Sequence, residues 1–229
     1  MRSDEGEFWD RRYRSEGAIW GEDPSPTAQL LAPHVAAGDR VLDVGFGYGR
    51  DLVFLGRNGC RMSGIELAGE GHLQARLRLD REGVRPERLY TDHFEDLPSP
   101  WEPFDAAVCH RLIHLLVAPP AAAAFVARLA QSVRPGGLLA VGSRSPRDYD
   151  PDAMVQVSDQ VFEYRERPGH RIRFWNEEAF IRAFDPAFAI IKLLEAVEPE
   201  SRLNPAPCRL TLMLARRKSL AARRPELLS

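Results

Sequence analysis

Short apolar runs alternate with segments of helical periodicity along most of the chain. The first run, Val41 to Val44, ends in a glycine-rich turn, and residues 52–55 then form the apolar side of a helix. A second run closes at Glu66 and is followed by a helix that ends near Gly83. Strands that alternate with helices in this way form open, largely parallel sheets, so the pattern predicts an α/β fold.

The rest of the chain supplies further predicted elements. A helix is predicted over 27–35, a strand over 88–90, a strand over 104–110, an alanine-rich helix over 119–132, a strand over 138–142, a hairpin of 161–164 with 171–175, a helix over 176–184, and strands over 188–196 and 209–215. Pro135 is expected to stop the alanine-rich helix, and the two glycines after it to turn the chain into the next strand.

Three glycines at alternate positions, Gly45, Gly47 and Gly49, follow the first strand. Glycine is needed where a backbone turns sharply or approaches a ligand closely, because a Cβ would clash there. The spacing is G-x-G-x-G, and Arg50 stands where the dinucleotide-binding pattern requires its third glycine. Asp43 precedes the turn, and a carboxylate at this place disfavours a pyrophosphate and favours a cationic ligand.

Glu66 lies about 20 residues after the glycines, where an acidic side chain can accept hydrogen bonds from ribose hydroxyls. Together with residues 41–49 and 133–137, it resembles the motifs of the class I S-adenosylmethionine-dependent methyltransferases. The resemblance implies a Rossmann-like α/β fold: a seven-stranded, mostly parallel sheet with helices on both faces and an antiparallel last strand. It also implies S-adenosyl-L-methionine as cofactor, S-adenosyl-L-homocysteine as product and a small-molecule methyl acceptor as partner.

The same resemblance implies a set of cofactor-binding residues. They are Tyr13, Asp43, Gly45, Gly47, Gly49, Glu66, Leu67, Asp92, His93, Phe94 and Cys109. Asp43 would hold the cationic end of the cofactor, Glu66 the ribose, and Asp92 the exocyclic amine of adenine. An aspartate at such a place is also a common loop former, and both interpretations of Asp92 stay open. One extra residue before Leu97-Pro98, compared with the commonest spacing, leaves open whether Glu95 takes part.

The candidate catalytic residues are His110, Arg111 and His170. His110 and Arg111 end the fourth predicted strand, beside the first strand, where ligands of open α/β sheets collect. No general base is assigned: His110 is the nearest candidate by position and His170 the next, and a thiol or selenol acceptor needs none. Residues 109–116 also resemble the tellurite-resistance and thiopurine methyltransferases, which act on small, soft nucleophiles.

Two segments outside the core are expected to flank the pocket. In the N-terminal segment, the resemblance implies that Tyr13, Arg12 and Trp20 line it. The insertion after the fifth predicted strand is expected to overhang the substrate side of the pocket. Its candidates for reading an anionic or aromatic substrate are Arg144, Tyr149, His170 and Arg173, although a surface role is the alternative for each.

Charge, cysteine content and apolar stretches limit the partners and the location that are expected. The formal net charge of -2 gives no electrostatic reason to expect nucleic acid as partner. Cys60, Cys109 and Cys208 lie far apart in apolar runs, which predicts buried free thiols and neither a disulfide set nor a metal site. No apolar stretch is long enough for a signal core or a membrane span, so a cytoplasmic protein without membrane contact is expected.

The chain divides into five predicted parts. These are N-terminal cofactor-covering helices (1–36), a cofactor-binding core (37–143), a substrate-side insertion (144–176), a helix with antiparallel strands (177–216) and a mobile tail (217–229). The rival functions are a nicotinamide-dependent oxidoreductase and a catalytically silent module that binds S-adenosylmethionine. Arg50 and the Pro135-Gly136-Gly137 turn argue against the oxidoreductase. The acceptor and the oligomeric state are not predicted.

Overall fold

The computed structural model describes residues 2–96, 102–199 and 206–219, with side chains from residue 6 onward. The helices are α1 (Arg2–Glu16), α2 (Pro26–Leu31), α3 (Arg50–Arg57), α4 (Gly69–Arg81), α5 (Pro119–Ser132) and α6 (Glu177–Phe184). The strands are β1 (Arg40–Val44), β2 (Arg61–Glu66), β3 (Arg88–Thr91), β4 (Phe104–His110), β5 (Val133–Arg144), β6 (Met154–Ser158), β7 (Val161–Tyr164), β8 (Arg171–Arg173), β9 (Phe188–Glu198) and β10 (Cys208–Arg217).

Seven strands form the main sheet in the order β3-β2-β1-β4-β5-β10-β9. The pairs among β3, β2, β1, β4 and β5 are parallel, whereas β10 is antiparallel to both β5 and β9. The Rossmann-like fold with an antiparallel last strand is therefore confirmed. The chain moves outward from β1 to β3 and returns to β4 beside β1, which leaves a crevice between the carboxyl ends of β1 and β4.

Two apolar clusters lie in the core. One joins Phe125 of α5 and Phe180 of α6 to β4, β5 and β10. The other joins α2, α3 and α4 to β1 and β2, with Leu52 and Leu79 among its buried members. Residues on one strand contribute to both clusters because successive side chains of a strand point to opposite faces. The sheet is thus covered on both sides, as expected for parallel strands.

Three elements differ from their predicted forms. Strand β5 begins at Val133, not at 138, because Val133 already pairs with Phe104 before an irregular register in β4. Strand β6 was not predicted, and its side chains from Val155 to Ser158 are exposed. The predicted helix over 27–35 is α2 followed by a 3₁₀ turn over Ala32–His34.

The insertion forms a separate small sheet. The predicted hairpin is confirmed as β7 paired with β8, and β6 adds a third strand beside β7. Helix α6 is also confirmed, and the side chain of Asn176 caps it by accepting from the Ala179 amide at 2.9 Å. Of the predicted tail, Arg217 ends β10, and residues 220–229 lie outside the described residues.

Helix α4 presents an unexpected face to the core. Leu73 and Leu77, two of the leucines that predicted this helix, are exposed, and Gly71 and Ala75 are buried in their place. These small residues let α4 lie close to the glycine turn and to α1. The three cysteines are buried and free, as predicted. Among the described helices, none is both long enough and apolar enough to cross a membrane.

Candidate functional site

A cavity of about 880 Å³ opens at the carboxyl ends of β1, β2 and β4. Helix α1 and the turn between β7 and β8 form its outer walls. The structure brings most of the predicted site residues to this cavity: Tyr13, Asp43, Gly45, Gly47, Glu66, Leu67, Asp92, His93, Phe94, His110, Arg111 and His170 line it. Gly49 and Cys109 are the two that do not.

Glu66 holds the glycine turn in place. Its Oε2 accepts from the Gly47 amide at 2.8 Å and its Oε1 from the Ala68 amide at 2.9 Å. Burial raises the pKa of this carboxyl, and the backbone hydrogen bonds oppose that rise. A carboxylate has about four lone-pair sites, so Glu66 retains acceptor capacity for a ligand in the cavity.

Gly47 cannot carry a side chain in this arrangement. Its φ is +54°, in the left-handed region, and a Cβ on it would lie 2.8 Å from the hydroxyl oxygen of Tyr13. Tyr13 is itself buried, which raises the pKa of its phenol well above the usual value. The N-terminal helix therefore packs directly on the backbone of the glycine turn.

Gly49 has a packing role and lies outside the cavity. Its φ is +81°, and a Cβ on it would lie 2.9 Å from the Cβ of Ala75 in α4. The expected approach of Gly49 to a cofactor is thus replaced by a close approach between the start of α3 and α4. The G-x-G-x-G spacing does not reveal that Gly47 lines the cavity whereas Gly49 packs against α4.

Cys109 is also placed away from the cavity. It is fully buried in the apolar cluster beneath α5 and α6, because it points to the opposite face of β4 from His110. Burial, with a contribution from Asp43, raises the pKa of its thiol. A neutral thiol enclosed in the core does not face the cavity, contrary to the expectation from its position at the strand tip.

Asp43 combines burial with an unsatisfied oxygen. Its side chain is 2% exposed, and its Oδ2 has no hydrogen-bond partner among the described residues. Burial first, then the nearby Asp51 and Glu66, raise the pKa of its carboxyl well above the usual value. Such a carboxylate is costly in the ligand-free protein and is suited to receiving a cationic group from a ligand.

In the loop after β3, Asp92 shows features of both roles that the sequence left open, a cofactor-binding residue and a loop former. Asp92 lines the cavity, and its Oδ1 also accepts from the His93 amide at 2.8 Å, as in a loop-forming turn. Phe94 lines the cavity from the core, where its ring packs edge-on against Phe125 with centroids 5.2 Å apart. Glu95 lines the cavity as well, whereas Leu97-Pro98 lies outside the described residues.

A buried ionic cluster forms part of the cavity floor. Glu198, at the end of β9, accepts from Arg50 at 2.5 Å, from Arg111 at 2.9 Å and from His110 Nε2 at 3.2 Å. Burial opposes ionisation of Glu198, but these partners outweigh it and hold the pKa of its carboxyl far below the usual range. Sequence reasoning missed Glu198 because the predicted strand stopped at residue 196 and no local motif marks this position.

Both ring nitrogens of His110 are occupied. Because an ionised Glu198 only accepts, Nε2 must carry the proton, and Nδ1 then accepts from the Thr27 hydroxyl at 2.7 Å. Burial lowers the pKa of the imidazole, while Glu198 opposes the shift. In this assignment His110 is a neutral ring without a free nitrogen, which argues against this candidate for a general base.

Aromatic rings close the outer side of the cavity. Phe8 of α1 stacks on His170 of the β7–β8 turn, with ring centroids 5.0 Å apart and planes at 24°. Trp20 stacks on Tyr48 at 6.3 Å and 17°. Burial and neighbouring arginines lower the pKa of His170 to about 4, so its imidazole is neutral near pH 7. These rings shield the cavity from water on the side away from the sheet.

The other insertion candidates serve the fold of the insertion. Arg144 forms an ion pair with Asp148, and Arg173 donates to the Val117 carbonyl at 3.0 Å. Tyr149 packs its ring on Phe162, with centroids 4.8 Å apart. Of these candidates, His170 is the one that lines the cavity. Within the described residues, no group of three or more metal-ligating side chains is assembled.

Comparison with known proteins agrees with this geometry. Residues 41–137 match the family described as a methyltransferase domain, whereas no curated protein matches the chain. Among solved structures, the chain is similar to the 1,6-didemethyltoxoflavin-N1-methyltransferase of Burkholderia thailandensis, determined with bound 1,6-didemethyltoxoflavin and S-adenosylhomocysteine. That similarity has 19% identity and a TM-score of 0.68, and covers 95% of this chain and 87% of that one.

Two further structures show the same similarity. The N-methyltransferase NodS from Bradyrhizobium japonicum WM9, in complex with S-adenosyl-l-homocysteine, is 16% identical with a TM-score of 0.67, over 93% of this chain and 98% of that one. The [4+2]-cyclase SpnF is 16% identical with a TM-score of 0.71, over 96% and 97%. At such identities the structural similarity establishes the fold.

Proposed function

We propose that this chain, a class I S-adenosylmethionine-dependent methyltransferase whose methyltransferase domain spans residues 41–137, moves a methyl group to a small-molecule nucleophile by in-line displacement. The observation that carries the proposal is the pairing of two buried carboxylates around the glycine turn. Asp43 keeps an unpartnered oxygen there, and Glu66 fixes the turn while keeping lone pairs for a ligand.

These residues fit the cofactor. Asp43 would receive its cationic amino-acid end, the backbone at Gly47 would approach it, and Glu66 would accept from its ribose hydroxyls. Asp92 and Phe94 would flank the adenine. When bound, S-adenosylmethionine supplies a methyl group already activated by the sulfonium. The cavity of about 880 Å³ is at the upper end of the range for small-molecule sites, which leaves room for an acceptor beside the cofactor.

The protein's own part in the reaction is positioning and exclusion of water. The rings of Phe8, Trp9 and Trp20 cover the cavity, and the ionic cluster around Glu198 keeps its floor rigid. His110 has no free nitrogen, and His170, with a pKa of about 4, is a weak base near pH 7. The site therefore suits an acceptor that needs little help in losing a proton.

The structure of the cyclase SpnF makes an activity assay necessary, because the same fold carries a different named reaction. The arrangement at Arg50 disfavours the nicotinamide alternative: its guanidinium is committed to Glu198 and to the Trp20 carbonyl, at 3.0 Å. In this chain Arg50 stands where a dinucleotide site has its third glycine.

Calorimetric titration tests the proposal first at the cofactor. We expect S-adenosylhomocysteine to bind and NADH to give no heat; the reverse result would overturn the assignment. Incubation with S-adenosylmethionine and a panel of thiols, phenols, amines and carboxylates, read by mass spectrometry, then tests for a gain of one methyl group. Cofactor binding without transfer to any member would favour the catalytically silent module.

A further inference from the structure

A second, smaller cavity of about 190 Å³ opens beside the large one. The two cavities are adjoining compartments of one site, because they share wall residues: Trp9, Trp20, Arg111, Leu115, Arg167 and His170. The smaller cavity has room for a few atoms but not for a second cofactor. We call it the cationic cavity.

The walls of the cationic cavity carry an excess of positive charge. Three arginines (Arg12, Arg111 and Arg167) carry this charge, and none of the described residues that line the cavity carries a carboxylate. Two histidines with lowered pKa values, His114 and His170, also line it as neutral rings. Arg12 and Arg111 have acidic partners behind the wall: Arg12 donates to Glu16 at 2.7 Å, and Arg111 donates to Glu198 at 2.9 Å.

Arg167 has no such partner. Within the described part of the chain its guanidinium forms neither a hydrogen bond nor an ion pair, and it lies over the ring of Tyr164, 4.7 Å from the centroid. Burial first, and then the charge of Arg12, lower its pKa. Arg167 is therefore a cation close to Arg12, with the carboxylates of Glu16 and Glu166 opposing the shift, and its hydrogen-bond donors are unused by the described residues.

Two buried polar atoms of residues that line the cationic cavity also lack partners. The Nε of Arg111 and the Nδ1 of His114 have no hydrogen-bond partner among the described residues, and His114 is 5% exposed. Burial first, and then Arg111 and Arg144, lower the pKa of His114 well below its usual value. Buried polar groups in a native protein normally find a partner, so these two unpartnered atoms set this part of the cavity wall apart.

We propose that the cationic cavity binds an oxyanion of the methyl acceptor, a carboxylate or a phosphate, held by Arg167 and Arg111. The inference deepens the proposed function and rests on it. The planar fork of an arginine matches both oxyanions. The indole rings of Trp9 and Trp20 lie between the two cavities, so the body of the acceptor would be flat and apolar, with its nucleophilic atom reaching into the large cavity. An aromatic acid fits this description.

The test is calorimetric titration of the full chain, saturated with S-adenosylhomocysteine, with three probes of equal ring size: benzoate, phenyl phosphate and neutral benzamide. We expect at least one of the two anions to bind and benzamide not to bind. The ratio of the two anion affinities identifies which oxyanion the cavity prefers. Equal binding of benzamide, or no binding of either anion, overturns the proposal.

Two matched variants sharpen the result. Arg167→Gln removes the unpartnered cation from an exposed turn, and we expect anion binding to weaken roughly tenfold, as for loss of a charge-assisted hydrogen bond. Arg165→Gln removes the same charge from the same turn, but Arg165 lines neither cavity and donates to the Pro151 carbonyl at 3.3 Å. Equal effects of the two variants would indicate long-range attraction only and overturn the proposal.

The readout separates this inference from the function on which it rests. If S-adenosylhomocysteine itself fails to bind, the proposed function has failed. Suppose that the wild type and Arg167→Gln bind S-adenosylhomocysteine with equal affinity. If they also bind the anions with equal affinity, the cationic cavity alone has been wrongly assigned.

Discussion

His110 donates a hydrogen bond of 3.2 Å to Glu198 across the floor of the large cavity. The two residues lie on β4 and β9, which the main sheet keeps apart by two intervening strands. With Thr27 on its other nitrogen, the imidazole is a bridge between elements. The same side chain that position alone marks as a base is thus engaged in holding the cavity floor together.

Replacement of His110 by Asn is expected to act on stability more than on chemistry. Asn is too short to reach both Thr27 and Glu198, so the free energy of unfolding should fall by about 1–3 kcal/mol. The methyl-transfer rate should stay within roughly tenfold, because no proton is lost through this ring. Urea unfolding and a rate assay check both, with His34→Asn, an exposed histidine, as control. A rate loss of about a hundredfold or more at unchanged stability would identify His110 as a general base.

Replacement of Glu198 by Gln should destabilise the protein strongly. It leaves Arg50 and Arg111 buried without their counter-charge, which costs about 3–5 kcal/mol when one partner of a buried ion pair is removed. Urea unfolding at pH 7 measures the loss. Glu195→Gln on the same strand, where the side chain is a third exposed, is the control. A loss below about 1 kcal/mol would show that the cluster contributes little.

The carboxylate of Glu198 should also make the stability of the protein depend on pH in the acidic range. The pKa of Glu198 is lower in the folded protein than in the unfolded chain, so its contribution is complete above about pH 5. It is lost progressively as the pH falls through and below the unfolded value. The stability difference between the wild type and Glu198→Gln should therefore shrink as the pH is lowered from 5 to 3. A difference that does not change over this range would contradict the assignment.

Replacement of Asp43 by Asn should make the ligand-free protein more stable and weaken its binding of S-adenosylhomocysteine. The pKa of Asp43 is raised in the folded protein, so its ionised form destabilises the ligand-free fold increasingly as the pH rises above the unfolded value of about 3.9. Asp43→Asn should be more stable than the wild type at pH 7.5, and the difference should disappear near pH 4. It should bind S-adenosylhomocysteine roughly tenfold more weakly or worse, because the charge that we propose to receive the cofactor's amine is gone.

Urea unfolding at the two pH values and calorimetry at pH 7.5 measure these effects. Asp159→Asn, at an exposed position in the turn between β6 and β7, is the matched control. A variant that loses stability at pH 7.5 and keeps its affinity would show that Asp43 is a structural residue.

Replacement of Gly49 by Ala should lower stability without changing cofactor affinity. The new Cβ would meet Ala75 at 2.9 Å, and the left-handed backbone adds strain, for a combined cost of roughly 2–4 kcal/mol. Gly83→Ala isolates the strain, because its φ is +67° and no atom lies within 4 Å. Thermal unfolding compares the two, and calorimetry below the transition measures S-adenosylhomocysteine binding. Weaker binding by folded Gly49→Ala would place Gly49 in the site after all.

The sequence predicts best what local chemistry decides. The strand–turn–helix at Gly45 to Gly49, the cap at Asn176 and the turn at Pro168-Gly169 each depend on a few adjacent residues, and all are found where expected. The seven-stranded sheet follows from the order of such elements and from the family resemblance. Most candidate residues at strand tips line the cavity, because the carboxyl ends of parallel strands share one edge, whereas Cys109 points into the core.

What the sequence does not predict depends on side chains that meet from distant parts of the chain. Glu198 lies 148 residues from Arg50 and 87 from Arg111, and no spacing rule connects them. The cationic cavity likewise joins α1, the segment after β4 and the β7–β8 turn. The contrast between Gly47, whose backbone lines the cavity, and Gly49, which packs on Ala75, is set by the position of α4.

The stacked rings of Phe8 and His170 have a consequence for how the cavity is covered. They belong to segments far apart in the chain, yet they are the point where the two outer walls of the cavity meet. A ring pair of this kind contributes about 0.5–1.5 kcal/mol in addition to its buried area. Each outer wall therefore depends in part on the other, and replacing either ring would remove this contact from both.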